Sequence, residues 1–423
     1  MALLPATRWS ERHTALSLCV GSYFAVRLAQ LLVSPVVPAL RETFDVSGST
    51  IGVILTGMWL VYACSQLPSG AAGDRYGPRR VVLAALACTT VGALALAAAP
   101  SLLTFGAFAL LLGIGAGLYY TPATALLAER FENVGRVIGV HRVGSQAAGL
   151  AAPALAALVG ARFGWRVAVG SGALVAAALL GVVLRRGPGE RPAAATAATD
   201  GGATVGPRAL VGVLARPPVA FAVGLAIVGE FAALATVSFL PTFLVDHHGL
   251  SLTRAGVLFG GYFVVVASLQ PVSGWLSDVI GRDAVVVALF VAGAVGYATL
   301  ATTATLAFAV PAVALVGVAM AWGPPVQSRA VDALADTERG VGFGLVRTGY
   351  LLVGALGPAV VSGVADAAGW TAGFGLLAAL LAVTTVALVL GLLVGRKRTP
   401  LGSSAFGLFD ASRNRGTDAD DRQ

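Results

Sequence analysis

A stretch of sequence in the first half of the chain has a counterpart about 204 residues later. QLPSGAAGDRYG at 66–77 aligns with QPVSGWLSDVIG at 270–281, and glutamine, serine, aspartate and two glycines keep their places. The matching residues are Gln66, Ser69, Gly70, Asp74 and Gly77 in the first copy and Gln270, Ser273, Gly274, Asp278 and Gly281 in the second. A repeat at this distance predicts two related halves.

Two further regions repeat in the same order and nearly the same register. In one, Arg142, Gly144, Gly149, Pro153, Gly164 and Trp165 correspond to Arg347, Gly349, Gly354, Pro358, Gly369 and Trp370. In the other, Tyr119, Pro122 and Glu129 correspond to Trp322, Pro325 and Asp332. Shared composition could produce one such match, but not all three in one order.

The composition indicates a surface that faces lipid. Only 11% of the 423 residues are charged and 57% are hydrophobic, whereas soluble domains carry about 25% charged residues. The 54 glycines agree, because glycine lets membrane helices approach closely. The basic residues behind the net charge of +8 lie mostly between apolar segments and in the tail, which argues against nucleic acid as a partner.

Twelve apolar segments are long enough to cross a bilayer, which takes about 20 residues. We therefore predict an all-α integral membrane protein with an N-terminal bundle of six helices at 14–184 and a C-terminal bundle of six at 217–395. A polar linker at 185–216 joins the bundles, a short segment at 1–13 precedes them, and a tail at 396–423 is expected to be disordered. The predicted spans are 14–40, 47–69, 80–99, 101–128, 137–160, 165–184, 217–244, 253–276, 284–302, 305–331, 341–364 and 370–395.

The distribution of lysine and arginine predicts the orientation. Segments on the side of the two termini carry 20 basic residues and segments on the opposite side carry four. Basic residues concentrate on the cytoplasmic side of membrane proteins. Both termini and the linker are thus expected in the cytoplasm, with the bundle in the plasma membrane.

The repeated stretch resembles a known signature. Gly70-x-x-x-Asp74-Arg75-x-Gly77-Pro78-Arg79-Arg80, with its degenerate copy Gly274-x-x-x-Asp278-x-x-Gly281-Arg282, resembles the loop motif of the major facilitator superfamily. The resemblance implies a monomeric carrier of a small solute whose halves rock about a central site. It also implies that the motif latches one side of the carrier in one conformation. The residues expected in this latch are Gly70, Asp74, Arg75, Gly77, Arg79, Arg80, Glu129, Gly274, Asp278, Gly281 and Asp332.

Charged residues inside the membrane mark the expected site, because they are costly there and usually functional. Arg27 lies 13 residues into the first predicted span and Glu230 lies 13 residues into the seventh, so both are near mid-membrane and at equivalent places in the repeat. Arg27 would bind an anion, and Glu230 would exchange a proton. The alternative is a fixed ion pair between them that holds the halves together.

Other polar and aromatic residues are weaker candidates for the same cavity. Arg142 and Arg347 are a symmetric pair that either binds an anion or reaches toward lipid headgroups. Gln66 and Gln270 are symmetric, lie inside the bilayer and need hydrogen-bond partners there. Tyr119 and Trp322 belong to the fourth and tenth spans, which line the cavity in the family that the chain resembles.

The sequence predicts a secondary transporter, expected to be proton-coupled and to carry an organic or inorganic anion. Proton-coupled efflux of lipophilic compounds is an alternative, although Gly149-x-x-x-Pro153 only partly matches the pattern of drug antiporters. A membrane sensor or scaffold that transports nothing is another. The sequence has no phosphate-binding loop with lysine. No cofactor or metal is expected, nor enzymatic activity, since no catalytic cluster occurs in the spans.

Overall fold

The computed structural model describes residues 6–187, 212–303, 305–335 and 339–398. Most of the predicted linker at 185–216, most of the tail at 396–423 and the beginning of the segment at 1–13 lie outside the described residues. Every regular element that the described residues form is a helix. The predicted all-α class is therefore confirmed.

The helices of the first half are α1 (Ala6–Leu31), α2 (Val37–Phe44), α3 (Gly48–Tyr76), α4 (Pro78–Ala97), α5 (Leu102–Ala128) and α6 (Val134–Arg186). Those of the second half are α7 (Pro217–Asp246), α8 (Leu252–Ile280), α9 (Arg282–Thr302), α10 (Leu306–Ala319), α11 (Gly323–Asp332), α12 (Arg339–Gly354), α13 (Gly357–Ala368) and α14 (Trp370–Arg398). Serine starts α3, α5 and α8, because Ser47, Ser101 and Ser251 each accept a hydrogen bond from a backbone N–H three residues later.

Among the described residues, eleven helical segments are long and apolar enough to cross a bilayer. One of them, α6, has 53 residues, which is about 80 Å of helix against a hydrocarbon core of about 30 Å. Its backbone leaves the helical region at Gly164, with φ 82° and ψ 165°. Helix α6 therefore supplies the fifth and sixth spans, and the predicted total of twelve is confirmed.

The repeat is visible in the backbone of paired glycines. Gly164 and its counterpart Gly369 have φ of 82° and 84° at the junctions that follow the fifth and eleventh spans. Gly77 and Gly281, in the two copies of the loop motif, have φ of 89° and 98°. A side chain makes this left-handed region costly. These four glycines are thus required by turns that both halves share.

Three spans are interrupted ahead of prolines. The first span changes to a tight 3₁₀ turn at Ser34–Val36 between α1 and α2, and the tenth does so at Met320–Trp322 between α10 and α11. In the eleventh span, α12 and α13 meet just before Pro358. Proline lacks the N–H that a continuous helix needs, and its ring clashes with the preceding turn.

The halves meet at two contacts between spans, the second with the eleventh and the fifth with the eighth, which the repeat relates to each other. Helix α3 packs against α12 and α13, and α6 packs against α8. A β-carbon added to Gly149 on α6 would lie 2.3 Å from the Phe263 ring on α8, and one added to Gly52 on α3 would lie 1.9 Å from Oγ of Ser362 on α13. Glycine thus permits the close approach that helix packing in membranes relies on.

Candidate substrate site between the two halves

Arg27 lies half-buried on α1, at the interface of the halves. Its Nη1 donates a hydrogen bond to Oε1 of Gln30, one turn further along, and its guanidinium carbon stands 5.4 Å from the centre of the Trp59 ring. Its Nε is buried and has no hydrogen-bond partner among the described residues. A cation held over an aromatic face is stabilised without using its hydrogen-bond donors. Arg27 therefore keeps donor capacity for a further group.

A second arginine crosses the interface. Arg347 on α12 places its guanidinium carbon 4.8 Å from the centre of the Tyr120 ring on α5. Tyr23, Tyr62 and Tyr350 also stand within electrostatic range of this guanidinium. The Nε of Arg347 is buried and, within the described part of the chain, unpartnered. The Tyr120 ring of the first half thus contacts a cation of the second half, and the Nε of this cation stays available.

Glu230 on α7 lies against Gly354 on α12, where an added β-carbon would come within 2.7 Å of the Glu230 Cγ. Arg347, Arg27 and Arg142 are within electrostatic range of its carboxylate. The described residues form no ion pair with Glu230, and Arg27 donates to Gln30 instead. In this conformation Arg27 and Glu230 are neighbours without a fixed bond.

The two predicted aromatic candidates are more enclosed than expected. Tyr119 has no exposed surface, its hydroxyl donates to the Cys19 carbonyl at 2.6 Å, and the same oxygen is 3.2 Å from Nε2 of His141. Neighbouring residues of a helix point about 100° apart, so Tyr120 reaches Arg347 while Tyr119 packs inside the first half. Trp322 is 5% exposed.

Trp322 is buried and packs against α7 and α12. A β-carbon on Gly229 of α7 would lie 2.5 Å from the indole, so the ring packs directly on the α7 backbone. The edge of the indole faces Tyr350, with ring centres 5.9 Å apart. Trp322 thereby fixes the position of Tyr350 beside Arg347.

The symmetric glutamines have similar local structure. Ser69 Oγ donates to the Gln66 carbonyl at 2.7 Å, and Ser273 Oγ donates to the Gln270 carbonyl at 3.0 Å. The Gln66 side chain is buried, and its Nε2 finds no partner among the described residues. Gln270 is half-buried. The repeat therefore holds in side-chain detail, and Gln66 adds another unused donor.

The latch residues of the second half form one network at the end of the bundle that carries the loop motifs, which we call the motif end. Arg282 donates to Asp278 and, at 3.2 Å, to Asp332, and it also donates to Oγ of Ser277 at 3.0 Å. These residues come from α8, α9 and α11. Gly274 lies against Pro324, where an added β-carbon would be 3.3 Å from Cβ of the proline. Asp278 and Asp332, which the sequence analysis expects in the latch, therefore share the guanidinium of Arg282.

The latch residues of the first half are arranged differently. Arg79 donates to the carbonyls of Val183 and Leu184, both at 3.3 Å, and so satisfies the last turn of α6. Glu129 forms an ion pair with the adjacent Arg130 at 3.5 Å. The remaining latch residues lie as follows: Asp74 and Arg80 are exposed, the Arg75 guanidinium carbon is 5.2 Å from the Tyr76 ring centre, and Gly70 approaches Thr121.

At the opposite end, which we call the far end, bonds between the halves close the interface. Arg41 Nη1 and Asp246 Oδ2 are 2.6 Å apart, which joins α2 to α7. The Ser49 backbone N–H donates to Oδ2 of Asp366 at 2.6 Å, so a carboxylate from α13 caps the start of α3. Deeper in, Ser34 Oγ donates to the Ser238 carbonyl at 3.1 Å. In this conformation the halves are held together at the far end.

Several residues of this arrangement were absent from the sequence prediction. Gln30 could have been found, because it stands three positions after Arg27 on the same helical face. Trp59 and Tyr62 lie one turn apart on α3, facing Arg27, and had no symmetric counterpart to mark them. Asp366 had no signal in the sequence, since its partner is a backbone N–H that any residue at position 49 other than proline would provide.

The site combines positive charge with unused hydrogen-bond donors. Arg27, Arg142 and Arg347 provide fixed positive charge, Glu230 provides the single carboxylate that they attract, and several buried N–H groups lack acceptors. Among the described residues, no group of histidine, cysteine, aspartate and glutamate could hold a metal ion.

Comparisons with known proteins agree with this architecture. The model of the Major Facilitator Superfamily matches residues 19–260 and 225–413. The chain is 29% identical over 362 residues to the "Probable nitrate/nitrite transporter NarK2" of Mycobacterium tuberculosis, covering 81% of this chain and 82% of that protein. Over 171 residues it is 32% identical to the "Multidrug resistance protein B homolog" of the same organism, covering 38% of this chain and 31% of that protein.

Solved structures show the same fold. A crystal structure of the nucleoside transporter NupG superposes with a TM-score of 0.76 at 15% identity, covering 89% of this chain and 99% of that one. A likeness at this identity concerns the fold alone.

Proposed function

Because the chain belongs to the major facilitator superfamily, we propose that it is a secondary transporter that carries a small organic or inorganic anion, coupled to protons, by rocking its two halves about the central site. The observation that carries this proposal is the grouping of Arg27, Arg142 and Arg347 around the single carboxylate of Glu230.

The charge balance of the site favours an anionic substrate. Three arginines against one carboxylate give a net charge of +2 if Glu230 is ionised (+3 − 1 = +2). Charge in a site surrounded by lipid and apolar side chains is costly unless it is compensated. Arginine stays protonated at any working pH. An anion that enters the site would therefore offset charge that the protein alone leaves uncompensated.

Glu230 provides a route to proton coupling. Its carboxylate and an anionic substrate would compete for the same guanidinium groups, since Arg347, Arg27 and Arg142 are all within electrostatic range of it. Protonation of Glu230 would release these arginines to the substrate. The proton and the anion would then enter and leave the site together, which is symport.

The relatives support an anion as cargo. One relative, matched over 81% of this chain, is named as a probable nitrate/nitrite transporter. All the residues of the proposed site belong to one chain, so a monomer would suffice for transport. We further propose that the motif end faces the cytoplasm of a cell with this protein in its plasma membrane. The closed far end would then leave the site accessible from inside.

A second candidate, proton-coupled efflux of lipophilic compounds, is supported by one feature of the site. The ring of Tyr120 lies against Arg347, and Tyr23, Tyr62 and Tyr350 are within electrostatic range of it. Aromatic side chains so close to the site would also suit an apolar cargo. The match to the multidrug resistance homolog covers only 38% of this chain. The arginines make the anion the better-supported cargo.

The test is uptake in proteoliposomes with an imposed pH gradient, using labelled nitrate, nitrite, benzoate and sulfate together with lipophilic dyes. Arg27→Ala should abolish anion uptake, and Glu230→Gln should leave exchange of anions while removing the dependence on the pH gradient. Arg254→Ala is the matched control, because Arg254 is exposed at the start of α8, away from the site. Uptake of dyes alone, or anion uptake that both site variants leave unchanged, would refute the proposal.

A further inference from the structure

His141 on α6 is a fully buried titratable residue that the proposed transport does not use. Its Nε2 lies 3.2 Å from the hydroxyl oxygen of Tyr119, and that hydroxyl donates its single proton to the Cys19 carbonyl at 2.6 Å. The hydroxyl can therefore only accept a hydrogen bond from the imidazole, so Nε2 carries a proton. This hydrogen bond holds the edge of the His141 ring in place.

The imidazole is neutral in this conformation. Its other nitrogen, Nδ1, is buried and has no partner among the described residues. A proton on Nδ1 would be a buried donor without an acceptor, and it would add a second cation next to Arg142 in the chain. The rings that face His141 are Tyr23 from α1 and Tyr119 and Tyr120 from α5, and the described contacts bring no carboxylate to it.

Two tyrosine rings lie nearly parallel to the His141 ring. Tyr23 stacks on it with ring centres 4.8 Å apart and planes 25° apart, and Tyr120 lies at 5.9 Å and 26°. The centres of the two tyrosine rings are 5.6 Å apart. Aromatic rings attract one another at such separations. Tyr23, Tyr120 and His141 thus form one cluster built from α1, α5 and α6.

The backbone beside this cluster is closely packed. A β-carbon added to Gly144, about one turn after His141, would lie 2.2 Å from the Val20 carbonyl oxygen on α1. Helices α1 and α6 therefore touch next to the imidazole, which leaves the ring little room to move.

Tyr120 connects the cluster to the substrate site. The guanidinium carbon of Arg347 stands 4.8 Å from the centre of the Tyr120 ring. An aromatic ring stabilises a cation when it presents its face to the charge. Within the described structure, no hydrogen bond or ring contact joins His141 to Arg347 directly. Any effect of His141 on this arginine therefore has to pass through Tyr120.

The repeat indicates that the shared fold does not require this histidine. Position 346 corresponds to position 141, because each precedes one of the paired arginines Arg142 and Arg347, and it carries valine. Val346 is also buried, with 1% of its surface exposed. An aliphatic side chain thus satisfies the packing at this place in the second half. The ring of His141 belongs to the half that faces Arg347.

We propose that His141 is a positioning residue of the anion site: its neutral ring holds Tyr120 in the orientation that stabilises Arg347, and Arg347 binds the anion. The inference rests on the anion transport proposed above and adds to it a residue that acts without touching the cargo. The ring of His141 performs this role, and its hydrogen bond to Tyr119 keeps the ring in place.

Two substitutions separate the ring from the hydrogen bond. His141→Gln keeps an N–H donor for Tyr119 but removes the ring, whereas His141→Phe keeps a flat ring and leaves no donor unpaired, because Tyr119 still donates to Cys19. His141→Gln should raise the KM of uptake by about twofold to thirtyfold, the effect of losing the cation–π contact at Arg347, with little change in maximal rate. His141→Phe should leave the KM near the wild-type value. The probe is whichever of labelled nitrate, nitrite, benzoate and sulfate the wild type takes up fastest.

A double-mutant cycle tests whether His141 acts through Tyr120. Tyr120→Leu alone should raise the KM, and adding His141→Gln to it should raise the KM no further. Additive increases would show that the histidine acts independently of Tyr120, and a Phe variant as impaired as the Gln variant would show that the hydrogen bond matters and not the ring. Either result overturns the inference. If His141→Gln does not elute as a monodisperse species, His141→Leu takes its place, since it also removes the ring and keeps an apolar side chain.

The contact between Tyr120 and Arg347 is also measurable without transport. With 3-fluorotyrosine at position 120, Arg347→Leu should move the ¹⁹F resonance in the wild-type and His141→Phe backgrounds, and by much less in the His141→Gln background, where the contact is already weakened. Tyr297→Leu is the control background and should respond as the wild type does, because Tyr297 is also a fully buried ring with a side-chain hydrogen bond, to Thr236, but makes no ring contact with Tyr120 in the described structure.

The two measurements separate this inference from the transport proposal. A full ¹⁹F response in the His141→Gln background would mean that Tyr120 keeps its position without the histidine, and the inference would be wrong whatever the cargo. If the wild type takes up none of the four anions, the proposed function fails, and the ¹⁹F response alone decides whether His141 positions Tyr120.

Discussion

Replacing Gly52 with alanine should open the far end of the carrier. Gly52 lies on α3 where it meets α13, and a β-carbon there would be 1.9 Å from Oγ of Ser362 and 2.9 Å from the carbonyl oxygen of Pro358. Unbonded heavy atoms settle at about 3.5 Å or more. The Ser362 hydroxyl could rotate away, but the carbonyl oxygen would still force the two helices to separate by roughly 0.6 Å. Because the carbonyl belongs to the backbone, a change of rotamer cannot relieve the overlap.

The size of the effect follows from the cost of overpacking. Forcing an extra methyl group into a packed interface costs about 1–3 kcal/mol. The cost falls only on the conformation in which α3 and α13 touch. The equilibrium between closed and open far ends should therefore shift by about fivefold to 150-fold toward the open form.

Spin labels report this shift. Glu42 on α2 and Thr253 on α8 are exposed near the far end on opposite halves. With cysteines at these positions, in a variant lacking Cys19, Cys64 and Cys88, electron–electron resonance should show a longer distance gaining population in Gly52→Ala. Gly106→Ala is the control, because its β-carbon would make an ordinary 3.6 Å contact with Ile54 inside the first half.

A rescue variant makes the reasoning refutable. Ser362→Gly removes the side chain that the new methyl group meets first and should restore part of the closed population, with the Pro358 carbonyl still tight at 2.9 Å. An unchanged distance distribution in Gly52→Ala would mean that the closed interface is not the conformation populated in the membrane. Equal shifts in Gly52→Ala and Gly106→Ala would mean that the effect is not steric contact between halves.

Two further predictions concern pairs that cross the interface. Arg41→Asp should open the far end only slightly, because its ion pair with Asp246 is about a third exposed and such pairs contribute about 0.2–1 kcal/mol. Adding Asp246→Arg should restore the wild-type distance distribution. A double variant that stays open would contradict a direct pairing of the two residues. Tyr120→Leu removes the aromatic ring that lies against Arg347, a contact that contributes about 0.5–2 kcal/mol. It should raise the KM of anion uptake, whereas Tyr120→Phe should leave the KM near the wild-type value. A Phe variant as impaired as the Leu variant would show that the hydroxyl matters and not the ring.

The parts of the fold that the sequence predicted are those that depend on local chemistry. Apolar length determines where a helix crosses the membrane, so ten of the predicted twelve spans appear as separate segments. The fifth and sixth share one segment, and their junction at Gly164 had to come from the backbone. The glycines of the repeat were visible because a left-handed turn tolerates little else. Gly77 and Gly281 therefore appear in the sequence as a repeat and in the structure as the same turn.

The parts that the sequence did not predict depend on which helix faces which. Tyr119 and Tyr120 are adjacent and chemically alike, and only the rotation of α5 places Tyr120 against Arg347 and Tyr119 inside the first half. The cap of α3 by Asp366 joins residues 317 positions apart. Gln30 is intermediate, since its spacing from Arg27 is local but its unused NH₂ group is apparent only once its surroundings are known.

The far-end contacts also explain why Arg27 and Glu230 become neighbours. Ser34 bonds to Ser238 and Arg41 bonds to Asp246, so partners 204 and 205 positions apart meet each other. Residues at equivalent places in two related units contact one another only near the axis that relates the units. Arg27 and Glu230 are separated in the sequence by nearly the same interval. They lie about two helical turns farther from the far end than Ser34 and Ser238, on the same two spans. The first and seventh spans therefore run beside the axis, which places this pair at the centre of the molecule. In the proposed rocking mechanism, a site on this axis would move least while access to it changes from one side to the other.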